Sequence, residues 1–171
     1  MPRPVLKKLL IMDACVLIDF IKAERSVFKI FASYIGEIHM TSTMVDEIKE
    51  VENERELKAL GLVIVEPETE DAYKAAIPGG GTSMQDRLCM LTAKRHGLIC
   101  VTNDTKLRKL CDIEKVQHIR GLKLLAELCH AGGVTAERAI EIAERIQRDN
   151  PFHNTDKIIG DFKDIIKARR V

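Results

Sequence analysis

The chain has 171 residues, of which 46% are hydrophobic and 31% are charged, so it is long enough for one domain with a substantial core. With 27 basic and 26 acidic residues its net charge is +1, which excludes a disordered chain of high net charge. Tryptophan is absent and aromatic residues make up 4%, which argues against single-strand binding through exposed aromatic platforms.

Hydropathy and cysteine usage indicate the compartment. No apolar run approaches the ~20 residues that a membrane helix needs, and no signal-peptide core with a cleavage site is visible. The five cysteines are widely spaced and form no C-x-x-C pair, which excludes a disulfide framework and a zinc site. We therefore expect a soluble, cytoplasmic protein with no membrane association.

Short aliphatic runs alternate with amphipathic helical patterns over the first 130 residues. Strands separated by helices require crossover connections, so the pattern predicts an α/β fold: an open, mostly parallel sheet with helices on both faces. The predicted strands are 8–12, 37–41, 62–65, 98–102 and 116–119. The predicted helices are 15–23, 26–35, one beginning at Thr43, 54–60, 83–96, 105–111 and 122–130.

The last forty residues form a separate predicted unit. Gly132-Gly133 interrupts the pattern, so we divide the chain into a sheet domain, residues 1–131, and a helical extension, residues 132–171. Two amphipathic helices follow, and their apolar stripes must be buried. We expect the second stripe to pack on the sheet domain or to form a homo-oligomer; its members are Ile158, Ile159, Phe162, Ile165 and Ile166.

Two acidic residues directly follow predicted strands. Asp13 comes after the run KLLIM, and Asp104 comes after LICVTN. The carboxyl ends of parallel strands lie along one edge of the sheet, where ligands bind. Asp13 and Asp104 are therefore expected at that edge.

Two further acids lie early in predicted helices that reach the same edge. Glu47 falls in the first turns of the helix beginning at Thr43. Asp86 falls in the first turns of the next long helix, whose start is marked by Thr82-x-x-Gln85, the spacing of a capping box. Four carboxylates in one place would repel each other, and a bound divalent cation resolves the conflict. Ligands that are all oxygen favour Mg²⁺ or Mn²⁺. The alternative for each acid alone is a helix N-terminal carboxylate without a ligand.

Four segments carry these acids in order: LLIMDACVLIDF, STMVDEI, SMQDRLCMLTAKRHGLICVTND and LRKLC. They resemble the PIN-domain family, which includes metal-dependent ribonucleases and the toxin nucleases of toxin–antitoxin pairs. The resemblance covers roughly residues 8 to 130. It implies catalytic, metal-binding roles for Asp13, Glu47, Asp86 and Asp104, and it suggests that Thr102 points its hydroxyl at the site.

Two positions depart from the family pattern. Cys15 stands where the family often has Asn or Ser, and Lys106 stands where many toxin members have a further Asp. Neither departure removes one of the four acids.

Basic residues are concentrated in the same part of the chain. Between Arg87 and Lys123 nine basic residues outnumber three acidic ones. Such a segment is either an ordinary solvated surface or one that faces a polyanion. We expect the second, with the phosphates of RNA held by Arg87, Lys106, Arg108 and Lys109.

The predicted function is therefore a Mg²⁺- or Mn²⁺-dependent endoribonuclease that hydrolyses RNA phosphodiester bonds. If the chain is a toxin, a cognate antitoxin is its expected partner. The rival is a catalytically silent PIN-like module that binds RNA or a protein. Phosphatase or receiver chemistry is disfavoured because no second Asp adjoins Asp13, and Pro78–Gly81 lacks the Lys-Ser/Thr of a P-loop.

Overall fold

A computed structural model describes residues 7–168. Its five strands form one sheet in the order β3-β2-β1-β4-β5, and every pair is parallel. Helices flank this sheet, which confirms the predicted α/β class. The strands are β1 Leu10–Met12, β2 Ile38–Thr41, β3 Val63–Val65, β4 Ile99–Val101 and β5 His118–Ile119.

Nine α-helices and one 3₁₀ segment connect and cover these strands within residues 7–168. The 3₁₀ segment is Ser42–Glu47. The helices are α1 Ala14–Ala23, α2 Val27–Tyr34, α3 Glu54–Ala59, α4 Thr69–Ala75, α5 Met84–His96, α6 Thr105–Ile113, α7 Gly121–His130, α8 Ala136–Asp149 and α9 Asp156–Ala168.

The central strand β1 is fully buried because it is a continuous apolar run. Leu10, Ile11 and Met12 are 0% exposed, and helix α5 packs against β1, β2 and β4. A parallel strand covered on both faces has no polar alternation, which is why KLLIM could be identified as a strand.

The strand order reverses between β1 and β4. The chain runs outward from β1 through β2 to β3, and β4 then pairs with the free side of β1. Met12 lies beside Val101 at the carboxyl ends of these two strands. Open α/β sheets form their ligand crevices at such a reversal.

Two elements differ from the sequence-based prediction. The helix expected from Thr43 is instead the 3₁₀ segment, in which Ile48 N donates to Val45 O, three residues back. Short stretches with β-branched residues such as Thr43 and Val45 favour the α-helix less strongly. Helix α4 is absent from the predicted elements because it has few apolar residues; Tyr73 is 75% exposed.

The C-terminal helices α8 and α9 contact α1 and α7. Helix α8 contacts α1 and α7, and α9 contacts α7 and α8. Ile159, Phe162 and Ile166 join the same core as the sheet, whereas Ile165 is 43% exposed. No helix within residues 7–168 combines the length and apolar character needed to cross a bilayer.

Candidate active site

A cavity of about 180 Å³ lies at the carboxyl ends of β1 and β4. We call it the acidic cavity, because its lining includes all four acids singled out in the sequence. The structure therefore brings them together, as expected from their places at strand ends and helix starts. Its polar lining comprises Asp13, Cys15, Asp19, Glu47, Ser83, Asp86, Asn103, Asp104, Asn150 and His153.

Asp13 is the most rigidly held of these acids. It follows β1 and caps α1, where its Oδ1 accepts a hydrogen bond from Val16 N at 2.9 Å, while Oδ2 accepts one from the Thr102 hydroxyl. The residue is 3% exposed. This burial raises the pKa of Asp13 to about 7; the two hydrogen bonds lower it, and the charges of Asp86 and Asp104 raise it further.

Thr102 connects the ends of β1 and β4. Its buried hydroxyl donates to Asp13 and accepts from Asp104 N at 3.1 Å. The family resemblance suggested that this hydroxyl points at the site, and in the structure it donates to Asp13. One side chain sets the relative positions of two of the four acids.

Asp104 caps the helix that follows β4. Its Oδ1 accepts from Lys106 N at 2.7 Å and from Leu107 N at 3.0 Å. Over residues 7–168 no donor contacts its other oxygen, Oδ2. That oxygen is free to accept from a ligand.

Asp86 belongs to a capping box that lies one residue later than predicted. Ser83, not Thr82, is the N-cap: Ser83 Oγ accepts from Asp86 N at 3.1 Å, and Asp86 Oδ2 accepts from Ser83 N at 3.2 Å. Thr82 is already committed to the preceding turn, since its hydroxyl donates to Gly79 O at 2.8 Å. The Thr82 and Gln85 box is thus wrong, although the helix start and the placement of Asp86 are right.

Glu47 reaches the cavity from the last residue of the 3₁₀ segment rather than from an α-helix. It is exposed. Partial burial raises its pKa, and the negative charge of Asp86 adds to the shift. Glu47 is therefore the least constrained of the four acids.

Helix capping alone does not account for this arrangement. Asp13, Asp86 and Asp104 each use a carboxylate oxygen on backbone donors of a helix start, the ordinary role of such residues. Capping does not require the carboxylates to converge, and convergence carries the repulsion and desolvation seen at Asp13. The shared cavity is the feature that points to a ligand.

The donors suit a hydrated hard cation. Within residues 7–168 no three His, Cys, Asp or Glu side chains stand close enough to hold one ion directly. Mg²⁺ in proteins usually keeps several waters and uses only one or two carboxylates, a mode that spaced carboxylates around a polar cavity can provide. Oxygen ligands also fit Mn²⁺ better than zinc.

Sequence reasoning missed several residues of the cavity lining, among them Asp19, Asn150 and His153. Asp19 is 6% exposed, and burial raises its pKa to about 6, although Asn150 Nδ2 donates to its oxygens at 3.2 and 3.4 Å and His153 lies nearby. Asp19 could have been noticed as a lone charge in the apolar run VLIDF. Asn150 and His153 come from the segment between α8 and α9, which carries no recognisable motif.

Cys15 also lines the cavity but is not set up as a nucleophile. Burial raises its pKa to about 11, and the charge of Asp13 contributes. The thiol therefore stays protonated near neutral pH, and reactive cysteines are thiolates.

Two predicted RNA-binding residues, Arg87 and Lys106, contact the loop that precedes α5. Arg87 donates to Ala75 O at 2.8 Å and to Thr82 O, so it ties the end of α4 to the loop before α5. Lys106 is exposed, and its side chain lies against Gly81, where φ is +69° and a Cβ would sit 3.0 Å from it. Their contacts with RNA remain predictions.

The other two predicted RNA-binding residues lie further along α6. Lys109 is exposed. Arg108 does not line the acidic cavity; it lines a separate groove with Arg120. None of the four predicted RNA-binding residues lines the acidic cavity, and Arg108 lines the separate groove.

Comparisons of the chain with protein-family models, curated proteins and solved structures find no match.

Proposed function

We propose that this chain is a PIN-domain ribonuclease that uses Mg²⁺ or Mn²⁺ to hydrolyse phosphodiester bonds of RNA in the acidic cavity. The observation that supports this most is the convergence of four carboxylates at the reversal point of the sheet. One of them, Asp13, is buried at a cost that a purely structural cap would not require.

Asp13, Asp86 and Asp104 would surround a hydrated cation, with one or two of them bound to it directly and the others through water. Glu47 would contribute directly or through water. When bound, the cation would supply positive charge for a scissile phosphate and favour ionisation of a bound water. The protein's own part is to keep the carboxylates in place before any ligand arrives. Backbone donors and the Thr102 hydroxyl do this for Asp13 and Asp104.

The rest of the cavity surroundings suit a polyanionic substrate. The exposed ammonium of Lys106 lies beside the glycine-rich loop that leads to Ser83, which itself lines the cavity. The Lys106 ammonium group is placed to attract a phosphate that the acids alone would repel. Arg87 would act on substrate mainly by holding that loop.

A silent binding module is the second candidate, and one observation favours it. Three of the four acids already have a structural role as helix caps. In that case the cavity would receive a partner, such as an antitoxin, without cleaving RNA.

The two candidates differ in metal binding and cleavage. Calorimetric titration of Mn²⁺ into the wild type should detect binding, and Asp86→Asn should weaken it at least tenfold because it removes one ligand charge. The matched control is Asp46→Asn, because Asp46 is exposed and does not line the cavity. Cleavage of a single-stranded RNA should require the same metal and stop in EDTA. A wild type that binds no Mn²⁺ and cleaves no RNA would favour the silent module.

A further inference from the structure

A groove of about 780 Å³ runs along the edge strand β5, between α6 and α7. We call it the basic groove. Its charged lining includes Arg108, Lys115, Arg120 and Lys123, with two acids, Asp112 and Glu127. It is larger than the acidic cavity and opposite to it in charge.

The two acids of the groove are already paired. Asp112 Oδ1 lies 2.7 Å from His118 Nε2, and Glu127 Oε2 lies 2.6 Å from Lys8 Nζ. Over the described part of the chain, no carboxylate forms an ion pair with Arg108 or Arg120. The groove therefore holds positive charge that the protein itself does not neutralise.

Arg108 shows this lack of a neutralising partner most clearly. Its Nε and Nη1 are shielded from solvent and have no hydrogen-bond partner within residues 7–168. Burial lowers the pKa of Arg120, and the neighbouring charge of Arg108 lowers it further. Two guanidinium groups held together without an acid are unfavourable unless an anion joins them.

The groove begins beside the acidic cavity. Arg108 N donates to Asp104 O, so the arginine lies one helical turn, about 6 Å, beyond that acid. On the other side, Gly121 N donates to Asn103 Oδ1 at 3.0 Å, which places Arg120 next to another residue of the cavity lining. A strand crossing the acidic cavity would thus have its neighbouring phosphates within reach of both arginines.

We propose that Arg108 and Arg120 form a second phosphate-binding site, which holds a phosphate of the RNA strand adjacent to the one in the acidic cavity. Guanidinium groups suit this role because they bind phosphate oxygens in a bidentate manner. The choice of RNA as the ligand rests on the proposed function. The unneutralised positive charge of the two arginines does not depend on whether the protein is a catalyst.

Binding measured without metal tests this site separately from cleavage. Fluorescence anisotropy in EDTA would follow a single-stranded RNA of twenty nucleotides bound to the wild type and to Arg108→Gln/Arg120→Gln. We expect at least tenfold weaker binding by the variant, and a log–log salt dependence that is shallower by about 0.7 for each phosphate that the variant no longer neutralises. Arg55→Gln is the matched control, because Arg55 is exposed on α3 and lines neither the cavity nor the groove.

A second measurement identifies the source of the phosphate. Inorganic phosphate should raise the melting temperature of the wild type above that in chloride of equal ionic strength, and the double variant should lose the effect. The variant should fold, since it removes buried charge. Arg108→Lys tests bidentate binding: it keeps the charge and should lose most of the RNA affinity.

The outcomes separate the two proposals. If the double variant binds RNA as tightly as the wild type, the second site is wrong, even when phosphate stabilises the protein, because the groove would then bind a free anion. If RNA binding depends on the two arginines but the wild type cleaves nothing, the site stands and the nuclease proposal fails.

Discussion

The acidic cavity and the basic groove both include residues of the α6 region, Asp104 in the cavity and Arg108 in the groove, and each has a predominant charge. They differ in how their charged groups are held. Asp13 and Asp104 accept hydrogen bonds from backbone amides, and Asp13 accepts another from the Thr102 hydroxyl. Arg108 of the groove has buried nitrogens without partners in the described part of the chain.

This difference indicates different uses. Carboxylates held in place before a ligand arrives avoid reorganisation at the moment of reaction, a property of catalytic sites. Unpartnered guanidinium groups gain more when a phosphate binds, a property of sites that provide affinity. This difference supports the two proposals, in which chemistry takes place in the cavity and the groove holds the substrate.

Asp13→Asn should have one of the two largest effects, and only on the cavity. Single-turnover cleavage of single-stranded RNA in Mn²⁺ should fall about 10³-fold, because the charge stabilisation that a metal supplies is worth several kcal/mol. The melting temperature in EDTA at pH 8 should rise slightly, since a buried negative charge is removed. If a folded Asp13→Asn variant kept full activity, the proposal that catalysis takes place in the cavity would be wrong.

Thr102→Val should weaken the rigidity of the cavity. It removes the donor to Asp13 Oδ2 and the acceptor of Asp104 N, so we expect a loss of about 1–3 kcal/mol in the free energy of unfolding. Thr102→Ser keeps the hydroxyl and should recover most of the loss. Urea denaturation of the three proteins measures this, and a Thr102→Val variant as stable as the wild type would contradict the role given to the hydroxyl.

Asp19→Asn should change the pH dependence of stability. The pKa of Asp19 is raised to about 6 in the folded protein. The folded state therefore binds more protons than the unfolded state between about pH 4 and 6, and stability falls as pH rises through that range. Allowing for solvent screening, about 1–2 kcal/mol should be lost. The variant should lack this fall in urea denaturation followed from about pH 4 to 8; an unchanged profile would contradict the assignment.

Physical reasons explain what the sequence could predict of this structure. Asp13 and Asp104 could be located because each follows a buried strand, and parallel strands end at one edge. Glu47 lies where the sequence predicts it, although its segment is a 3₁₀ turn rather than the expected α-helix, since the preceding strand determines its position. Asn150 could not be found, because it reaches the cavity through the packing of α8 against α1.

The sequence also could not predict that Arg108 lies in a groove separate from the cavity. Arg108 follows Asp104 by four residues, a spacing that places both on one helix face. That spacing suggests a single site. The groove depends on how β5 and α7 lie beside α6, and helical periodicity contains no information about that packing.

Asp104→Asn gives the most direct test of the central claim, because it removes the charge of one carboxylate while Oδ1 can still accept from the α6 amides. Single-turnover cleavage in Mn²⁺ should fall by about three orders of magnitude. RNA affinity in EDTA should stay equal or increase, since a negative charge facing phosphates is removed. Cleavage equal to that of the wild type would contradict the assignment of catalysis to the acidic cavity.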